Sequence, residues 1–209
     1  MNTETMLEYD SPAEKFSEAL PVGNGRIGGM IYGRGAEELI KLNEDSVWSG
    51  GLRHRVNPDA KEGLAEVRKL LAEGRIPEAE KVAFEKMQGV PENMRRYMPL
   101  GDLHINMELC GKVRELRRSL DISEAVSDTS FTVNDVRYTR SVFVSAPDEV
   151  MVIRVCGSTP GSVTLSCDID GREDYYDDNR PCAKNMLMYT GGTGSRDGIF
   201  FAVCIGAAV

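Results

Sequence analysis

Apolar and polar side chains alternate along much of the second half of the chain, and this period of two constrains the fold more than any other feature. The clearest case is the segment 163–170, in which polar residues alternate with Val163, Leu165, Cys167 and Ile169. Successive side chains of a β-strand point to opposite faces of a sheet. The pattern therefore predicts a half-buried antiparallel strand.

Turn signals divide this part of the chain into short strands. Val133 and Val136 flank Asn134-Asp135, a pair that favours a two-residue hairpin turn. The run 150–155 is almost continuously apolar, which predicts a strand buried on both faces. Short strands that recur about every 10 residues, with turn residues between them, predict a mainly β fold, an antiparallel β-sandwich.

The first half of the chain adds two strands and a helical hairpin. No periodicity is visible in residues 1–22, but apolar runs at 27–32 and 39–42 predict strands. Between 57 and 89 the spacing becomes helical. Asn57 suits the N-cap of a first helix, and Pro58 suits its first helical position. Gly74 suits the C-terminal end of that helix, and a second helix is expected to begin near Pro77. We therefore predict a helical insertion at 57–89.

The end of the chain bears on domain organisation. We expect one sandwich domain over residues 1–209, which is long enough to bury a sizeable core. The run 199–205 is apolar and predicts a core strand, and four residues follow it. A core strand without a partner after it suggests that the domain is truncated at its C-terminus.

Charge and cysteine content narrow the classes of partner. The net charge is −8, so we expect the chain to repel nucleic acid and anionic lipid. No apolar stretch approaches a membrane span, and the N-terminus lacks the features of a signal peptide. The five cysteines are scattered and odd in number, which favours free thiols in a reducing compartment over disulfides or a metal site. We expect a cytoplasmic protein without a metal.

Two motifs suggest binding sites but have simpler interpretations. Residues 23–28 match the spacing GxGxxG, yet the glycines that follow disfavour the helix that a dinucleotide site requires, and Asn24-Gly25 favours a turn entering a strand. The run 173–179 is dense in carboxylates. Its spacing does not fit a calcium loop of the EF-hand type, so a solvated loop is favoured over weak calcium binding.

A polar stretch around the single tryptophan holds the best candidate binding residues. Trp48 lies in the segment 43–51 together with Asn43, Glu44 and Asp45. An indole can stack on a sugar while amides and carboxylates bind the sugar hydroxyls, but packing of Trp48 against its own domain or a neighbouring one is favoured. Glu44 and Asp45 are adjacent, so on a strand they point to opposite faces and could not flank one glycosidic bond unless the backbone turns there. We identify no catalytic residue.

Arg140 is the remaining candidate. It lies on a strand face that is otherwise formed by Val136, Tyr138, Val142 and Val144. A charge in that position is costly unless it is paired. Either a structural ion pair or a contact across a domain interface would account for it.

Several longer motifs resemble glycoside hydrolase family 95. They are the segments 18–30 (EALPVGNGRIGGM), 42–51 (LNEDSVWSGG), 97–103 (YMPLGDL), 117–122 (RRSLDI) and 136–148 (VRYTRSVFVSAPD). The resemblance covers about residues 7–170 in consistent order. Phe16 stands where many family members have tryptophan.

The resemblance implies an N-terminal sandwich, of the super-sandwich type, that packs against an (α/α)6 barrel. Members of the family are inverting α-L-fucosidases without a cofactor, and their acid and base-assisting residues lie in the barrel, which this chain does not reach. The implied partners are that barrel and, through it, a fucosylated oligosaccharide. A freestanding carbohydrate-binding module and the sandwich of a related sugar phosphorylase or hydrolase are the alternatives.

Overall fold

The computed structural model describes residues 5–172, 177–194 and 197–208. Within them, two five-stranded sheets and one three-stranded sheet form, and all strand pairs are antiparallel. The first sheet has the order β1 (Met6–Tyr9), β6 (Arg114–Asp121), β7 (Val126–Val133), β8 (Val136–Ser145) and β9 (Val150–Gly157). The second has the order β10 (Leu165–Asp170), β5 (Gly101–Met107), β4 (Glu37–Glu44), β3 (Ile27–Ile31) and β2 (Leu20–Gly23). The third comprises β11 (Asp178–Ala183), β12 (Met186–Gly192) and β13 (Phe200–Gly206). The predicted mainly β fold is confirmed.

The two larger sheets pack face to face. Strand β2 contacts β6, β7 and β8, and β3 contacts β9. Their inner side chains form one apolar core, in which Ile31, Ile40 and Val142 are almost fully buried. The third sheet packs against the same core through the buried Tyr189 and the half-buried Phe201. Burial of this apolar surface is the main term that stabilises the fold.

The clearest sequence signals are confirmed. Asn134 and Asp135 have φ of 47° and 63°, the left-handed values of a two-residue hairpin turn between β7 and β8. In β10 the side chains of Leu165, Cys167 and Ile169 face the core, while those between them are exposed. The glycine motif at 23–28 is the turn between β2 and β3, as predicted, and not a helix entry.

The helical hairpin lies between β4 and β5, which are neighbours in the second sheet. Its helices are α1 (Ala60–Ala72) and α2 (Ile76–Met87), and Gly74 ends the first one with a φ of 73°. The predicted start is wrong, because α1 begins three residues after Asn57. The Asn57 side chain instead accepts a hydrogen bond from the backbone N–H of Asp59, 3.0 Å away, and closes a turn.

Two apolar runs have less burial than predicted. Every residue of β9 is exposed or only partly buried, so the prediction that residues 150–155 are buried on both faces is wrong. The strand lies at the edge of the first sheet. Strand β13 also lies at an edge, and its alternate residues, including Phe200, are exposed. A continuous apolar run shows that a strand is apolar, but it does not show whether the strand lies at the centre or at the edge of a sheet. The short strands β1 and β2 fall in the segment without visible periodicity.

Two further observations concern the described residues. None of the helices there has both the length and the apolarity needed to cross a bilayer. All five cysteines are free thiols.

Candidate functional site

The loop that follows β4 is held in place at both ends. After Glu44 the chain turns, and Val47 enters the core with 1% of its surface exposed. Val47 then accepts a hydrogen bond from the backbone N–H of Met98 at 3.0 Å, and Ser49 N–H donates to Arg96 at 2.8 Å. A buried anchor and a short ladder therefore fix the backbone of residues 44–49.

Trp48 pairs with Tyr97 across this ladder. The rings meet edge to face, with centroids 5.0 Å apart. The indole N–H donates to the carbonyl of Asp45 at 3.0 Å, and the Tyr97 hydroxyl donates to the carbonyl of Glu44 at 3.1 Å. Both polar ends are thus used within the domain, while part of each ring stays exposed. Trp48 packs against its own domain, as one of the two sequence interpretations proposed, and its remaining surface is an aromatic platform.

Glu44 is tied down by charged and polar neighbours. Its carboxylate accepts hydrogen bonds from Arg26 Nε at 3.1 Å and from the backbone N–H and hydroxyl of Ser46 at 3.0 and 2.6 Å. Partial burial alone would raise the pKa of Glu44, but the bonds from Ser46 and Arg26 outweigh burial and the net pKa is lowered. Glu44 is therefore ionised at neutral pH and is unsuited to act as a general acid.

Beside this loop lies a shallow depression of about 290 Å³. Asn43, Asp45 and Tyr97 line one side, and the β2–β3 turn with Gly28 lines the other. Gly28 lies opposite Asn43 in the sheet. The structure thus brings together four of the five candidate residues, Asn43, Glu44, Asp45 and Trp48. Amide and carboxylate groups beside an aromatic platform can bind a hydroxylated ligand, but they do not form an acid–base pair.

Arg140 lies apart from this loop, in the interior of the sandwich. Its guanidinium forms an ion pair with Glu38 of β4, and the two side chains are 1% and 0% exposed. Glu38 also accepts hydrogen bonds from the backbone N–H groups of Gly33 and Leu39, at 2.8 and 3.0 Å. Burial raises the pKa of Glu38 and lowers the pKa of Arg140, and each charge partly offsets the effect on the other. Arg140 is a structural residue, beyond the reach of a substrate or a docked domain.

A second buried ion pair was not anticipated from the sequence. Arg172 donates from Nη2 and Nε to Asp177 at 2.8 and 3.0 Å, and the Tyr189 hydroxyl donates to the same carboxylate at 2.7 Å. Burial alone would raise the pKa of Asp177, but these bonds lower it. The predicted solvated loop is therefore wrong for Asp177. Residues 173–176 of that run lie outside the described residues, so the calcium interpretation is untested there.

A larger groove, of about 680 Å³, opens between the edge strands β1 and β2. Arg118 lies at its base with 4% of its surface exposed and donates to the carbonyls of Ser11 and Glu18 at 2.7 and 2.6 Å. The guanidinium lies 4.4 Å from the centre of the Tyr9 ring. These contacts hold the segment 10–19 against the sandwich. No pattern in the sequence distinguishes Arg118 from its neighbours Arg114 and Arg117.

Comparison with known proteins identifies what the chain is similar to. A family model described as glycosyl hydrolase family 65, N-terminal domain, matches residues 7–207. Alpha-L-fucosidase 2 of Arabidopsis thaliana is 33% identical over 185 residues, which cover 87% of this chain and 22% of the plant protein. Probable alpha-fucosidase A of Aspergillus niger is 31% identical over 163 residues, 73% of this chain and 20% of the fungal protein. The chain thus spans about a fifth of the length of these curated relatives.

Proposed function

We propose a function from the premise that the chain belongs to the N-terminal domains of glycosyl hydrolase family 65. The chain is the non-catalytic sandwich of a longer, α-L-fucosidase-like glycoside hydrolase. In this proposal it packs against a separate catalytic domain, an (α/α)6 barrel as the resemblance to family 95 implies. The names of the relatives, α-L-fucosidase and probable α-fucosidase, support the substrate class. The hydrolysed ligand would then be a fucosylated oligosaccharide bound mainly by the barrel.

One observation carries the proposal, the set of exposed apolar side chains on the helical insertion and its two connecting segments. We call residues 52–94 the apolar arm. Leu52 and Val56 are 91% and 87% exposed. The other exposed large apolar residues of the arm are Leu64, Leu71, Ile76, Phe84, Met87, Val90 and Met94. Helices α1 and α2 pack chiefly against each other. Exposed large apolar side chains in this number on one insertion favour a surface that another domain covers.

The arm is joined directly to the loop with the aromatic pair. The connecting segments run side by side, because Arg55 donates to the carbonyl of Pro91 at 2.9 Å and Val90 N–H donates to Arg55 at 3.2 Å. Both segments lead back to Trp48 and Tyr97. A domain that covers the arm would therefore border the depression at Asn43 and Asp45. The proposed role of these side chains is to form one rim of the substrate pocket.

In this proposal the general acid and base groups lie in the catalytic domain, outside this chain. An inverting hydrolase uses two carboxyl groups about 6.5–9.5 Å apart, with a water between them. Glu44 is ionised and bonded to Arg26 and Ser46, so it does not fit the role of the acid. In this proposal the chain contributes hydrogen-bonding and aromatic groups to the rim of the pocket, and the hydrolytic pair belongs to the catalytic domain.

Turnover of a nitrophenyl α-L-fucoside tests the proposal. The chain of 209 residues should be inactive, while the polypeptide extended along its reading frame should hydrolyse the substrate. Substantial hydrolysis by the shorter chain would overturn the non-catalytic role. Hydrolysis of another glycoside, or phosphorolysis, by the extended polypeptide would favour the related sugar hydrolase or phosphorylase, with which the family match is also compatible.

The docking role of the arm has its own test. Leu52→Lys should lower the melting temperature of the extended polypeptide, because burying a leucine contributes about 1.5–3 kcal/mol and a lysine there would be desolvated. The same substitution should leave the shorter chain unchanged. Ile122→Lys is the matched control, since Ile122 is an exposed apolar residue outside the arm. Equal effects of the two substitutions in the extended polypeptide would contradict the docking role.

A further inference from the structure

The groove between β1 and β2 has an apolar wall that the opposite sheet leaves uncovered. Leu7 and Tyr9 of β1 pair in register with inward-facing residues of β6, so their side chains point to the inner face of the first sheet. Another inner-face residue of that sheet, Phe131, is 1% exposed, but Leu7 and Tyr9 are 40% and 43% exposed. Both line the groove. An aromatic ring and an aliphatic side chain are thus available to a ligand there.

Arg118, at the base of the groove, has an unused hydrogen-bond donor. Its Nε and Nη1 donate to the carbonyls of Ser11 and Glu18, and its guanidinium lies against the Tyr9 ring. Its third nitrogen, Nη2, has no partner among the described residues, and it is not one of the unpaired atoms that are sealed from solvent. Buried charged groups usually have all their polar atoms satisfied. Nη2 is therefore a donor available to a ligand in the groove.

The opposite rim of the groove is fixed before any ligand binds. It is formed by the segment 11–19, in which Ala13 is 1% exposed and its N–H donates to the carbonyl of Tyr32 at 2.8 Å. Hydrogen bonds from backbone N–H groups, that of Glu14 first, lower the pKa of Glu18. Glu18 is therefore an ionised acceptor at neutral pH. A rim that is already ordered loses little conformational freedom on binding.

The charges that line the groove select the class of ligand. They are one cation, Arg118, and two carboxylates, Glu14 and Glu18, and the hydroxyls of Ser11 and Ser17 lie beside them. The two carboxylates disfavour an anion, and the buried guanidinium disfavours a cation. A hydroxyl group can accept from Arg118 and also donate to a carboxylate. The ligand that uses all these groups is neutral, with several hydroxyls and an apolar C–H face.

A peptide strand is a less suitable occupant. It would pair with the free edge of β1 or of β2. Strand β1 has only four residues, and β2 contains Pro21, which has no N–H to donate. Short length and proline are features by which natural edge strands avoid additional pairing.

We propose that the groove is a binding site for a neutral saccharide. Tyr9 and Leu7 would contact the C–H face of the sugar, Arg118 would donate to one hydroxyl, and Glu14 would accept from another. The volume of about 680 Å³ is in the range of ligand sites. The groove shares no lining residue with the depression at Asn43, so this is a second site, and it does not depend on the proposed function.

Titration of the 15N-labelled chain of 209 residues with D-galactose, followed by amide chemical shifts, tests the inference. Amides of β1 and of the segment 11–19 should shift, with a Kd on the order of 1–10 mM for so small a ligand. D-Galacturonate has a carboxylate in place of the C6 alcohol of galactose. It should bind at least about threefold more weakly, because Glu14 and Glu18 repel it.

Two substitutions locate the binding. Tyr9→Ala should weaken galactose binding by about 5- to 10-fold, because the aromatic contact is lost. Glu14→Ala, at an exposed position that leaves the packing intact, should weaken it by about threefold. The matched control is Phe16→Ala, since Phe16 is an aromatic residue of the neighbouring segment that is 58% exposed and does not line the groove. This control should bind galactose as the unsubstituted chain does.

The other outcomes would overturn the inference. Absence of shifts in β1 up to about 50 mM galactose would refute the site. Tighter binding of galacturonate than of galactose would show an anion site, and equal weakening by Tyr9→Ala and Phe16→Ala would place the ligand elsewhere. Binding that disappears in the extended polypeptide would assign the groove to another segment of that polypeptide. Binding that persists in an extended polypeptide without fucosidase activity supports the site and refutes the proposed function alone.

Discussion

Removing the charge of Glu38 tests the buried ion pair with Arg140. In Glu38→Gln the amide oxygen keeps the acceptor used by the backbone N–H groups of Gly33 and Leu39. The main loss is the negative charge opposite a guanidinium that is 1% exposed and cannot reach water. Leaving one partner of a buried pair uncompensated costs about 3–5 kcal/mol. The free energy of unfolding of a domain is about 5–15 kcal/mol, so this loss is a large share of the stability.

Urea denaturation followed by circular dichroism measures the effect. With a slope of about 2–3 kcal/mol per molar urea, the midpoint of Glu38→Gln should fall by about 1–2.5 M. The matched control is Glu38→Gln with Arg140→Met, which removes both charges and keeps most of the buried volume. We expect it to unfold within about 1.5 kcal/mol of the unsubstituted chain.

Arg140→Met alone adds a pH dependence whose sign follows from the burial of Glu38. Without the guanidinium, burial holds the folded pKa of Glu38 above its unfolded value. The native state then binds a proton more tightly, so the variant should be most stable below the unfolded pKa and lose stability as pH rises through the folded pKa. A single substitution Glu38→Gln that changes stability by less than about 1 kcal/mol would refute the argument, since an unpaired buried charge costs more.

Two further substitutions test other parts of the sandwich. Asp177→Asn should destabilise the chain at neutral pH and reduce the loss of stability on acidification. The lowered pKa of Asp177 contributes stability that is lost as the pH falls below 3.8, its ordinary value, through the folded pKa. Urea midpoints at several pH values measure this effect, and equal pH profiles for both proteins would contradict it. Asp135→Gly should stabilise the β7–β8 hairpin by about 0.5 kcal/mol and Asp135→Val should destabilise it by about 1–2 kcal/mol, because the residue has a positive φ. Equal unfolding midpoints for the glycine and valine variants would refute this assignment of the turn.

Local sequence patterns predicted most of the strands. The alternation in β10 and the Asn134-Asp135 turn depend on neighbouring residues alone, and both are confirmed. The candidate loop could also be predicted from the sequence, because Asn43 to Trp48 are close in sequence and one turn brings them together. The sequence did not identify Tyr97 as the partner of Trp48, because the two are joined only by the ladder at the base of the helical insertion.

Long-range pairs explain the remaining errors. Arg140 could be recognised as a charge that needs a partner, but Glu38 lies 102 residues away. Asp177 belongs to a run of acidic residues typical of a surface loop, and only the folded position of Tyr189 gives it a buried site. Strand β9 has the composition of an interior strand at an edge position.

The helical insertion leaves and re-enters the sandwich between two strands that are already hydrogen-bonded neighbours, β4 and β5. Its base is closed by the bond from Met98 N–H to Val47 at 3.0 Å. The entropy of closing a loop grows only slowly with its length, so the sandwich is largely indifferent to what lies beyond this closure. Evolution can therefore lengthen, shorten or reshape the insertion to follow a changing neighbour, while the sheets beneath it keep their registers.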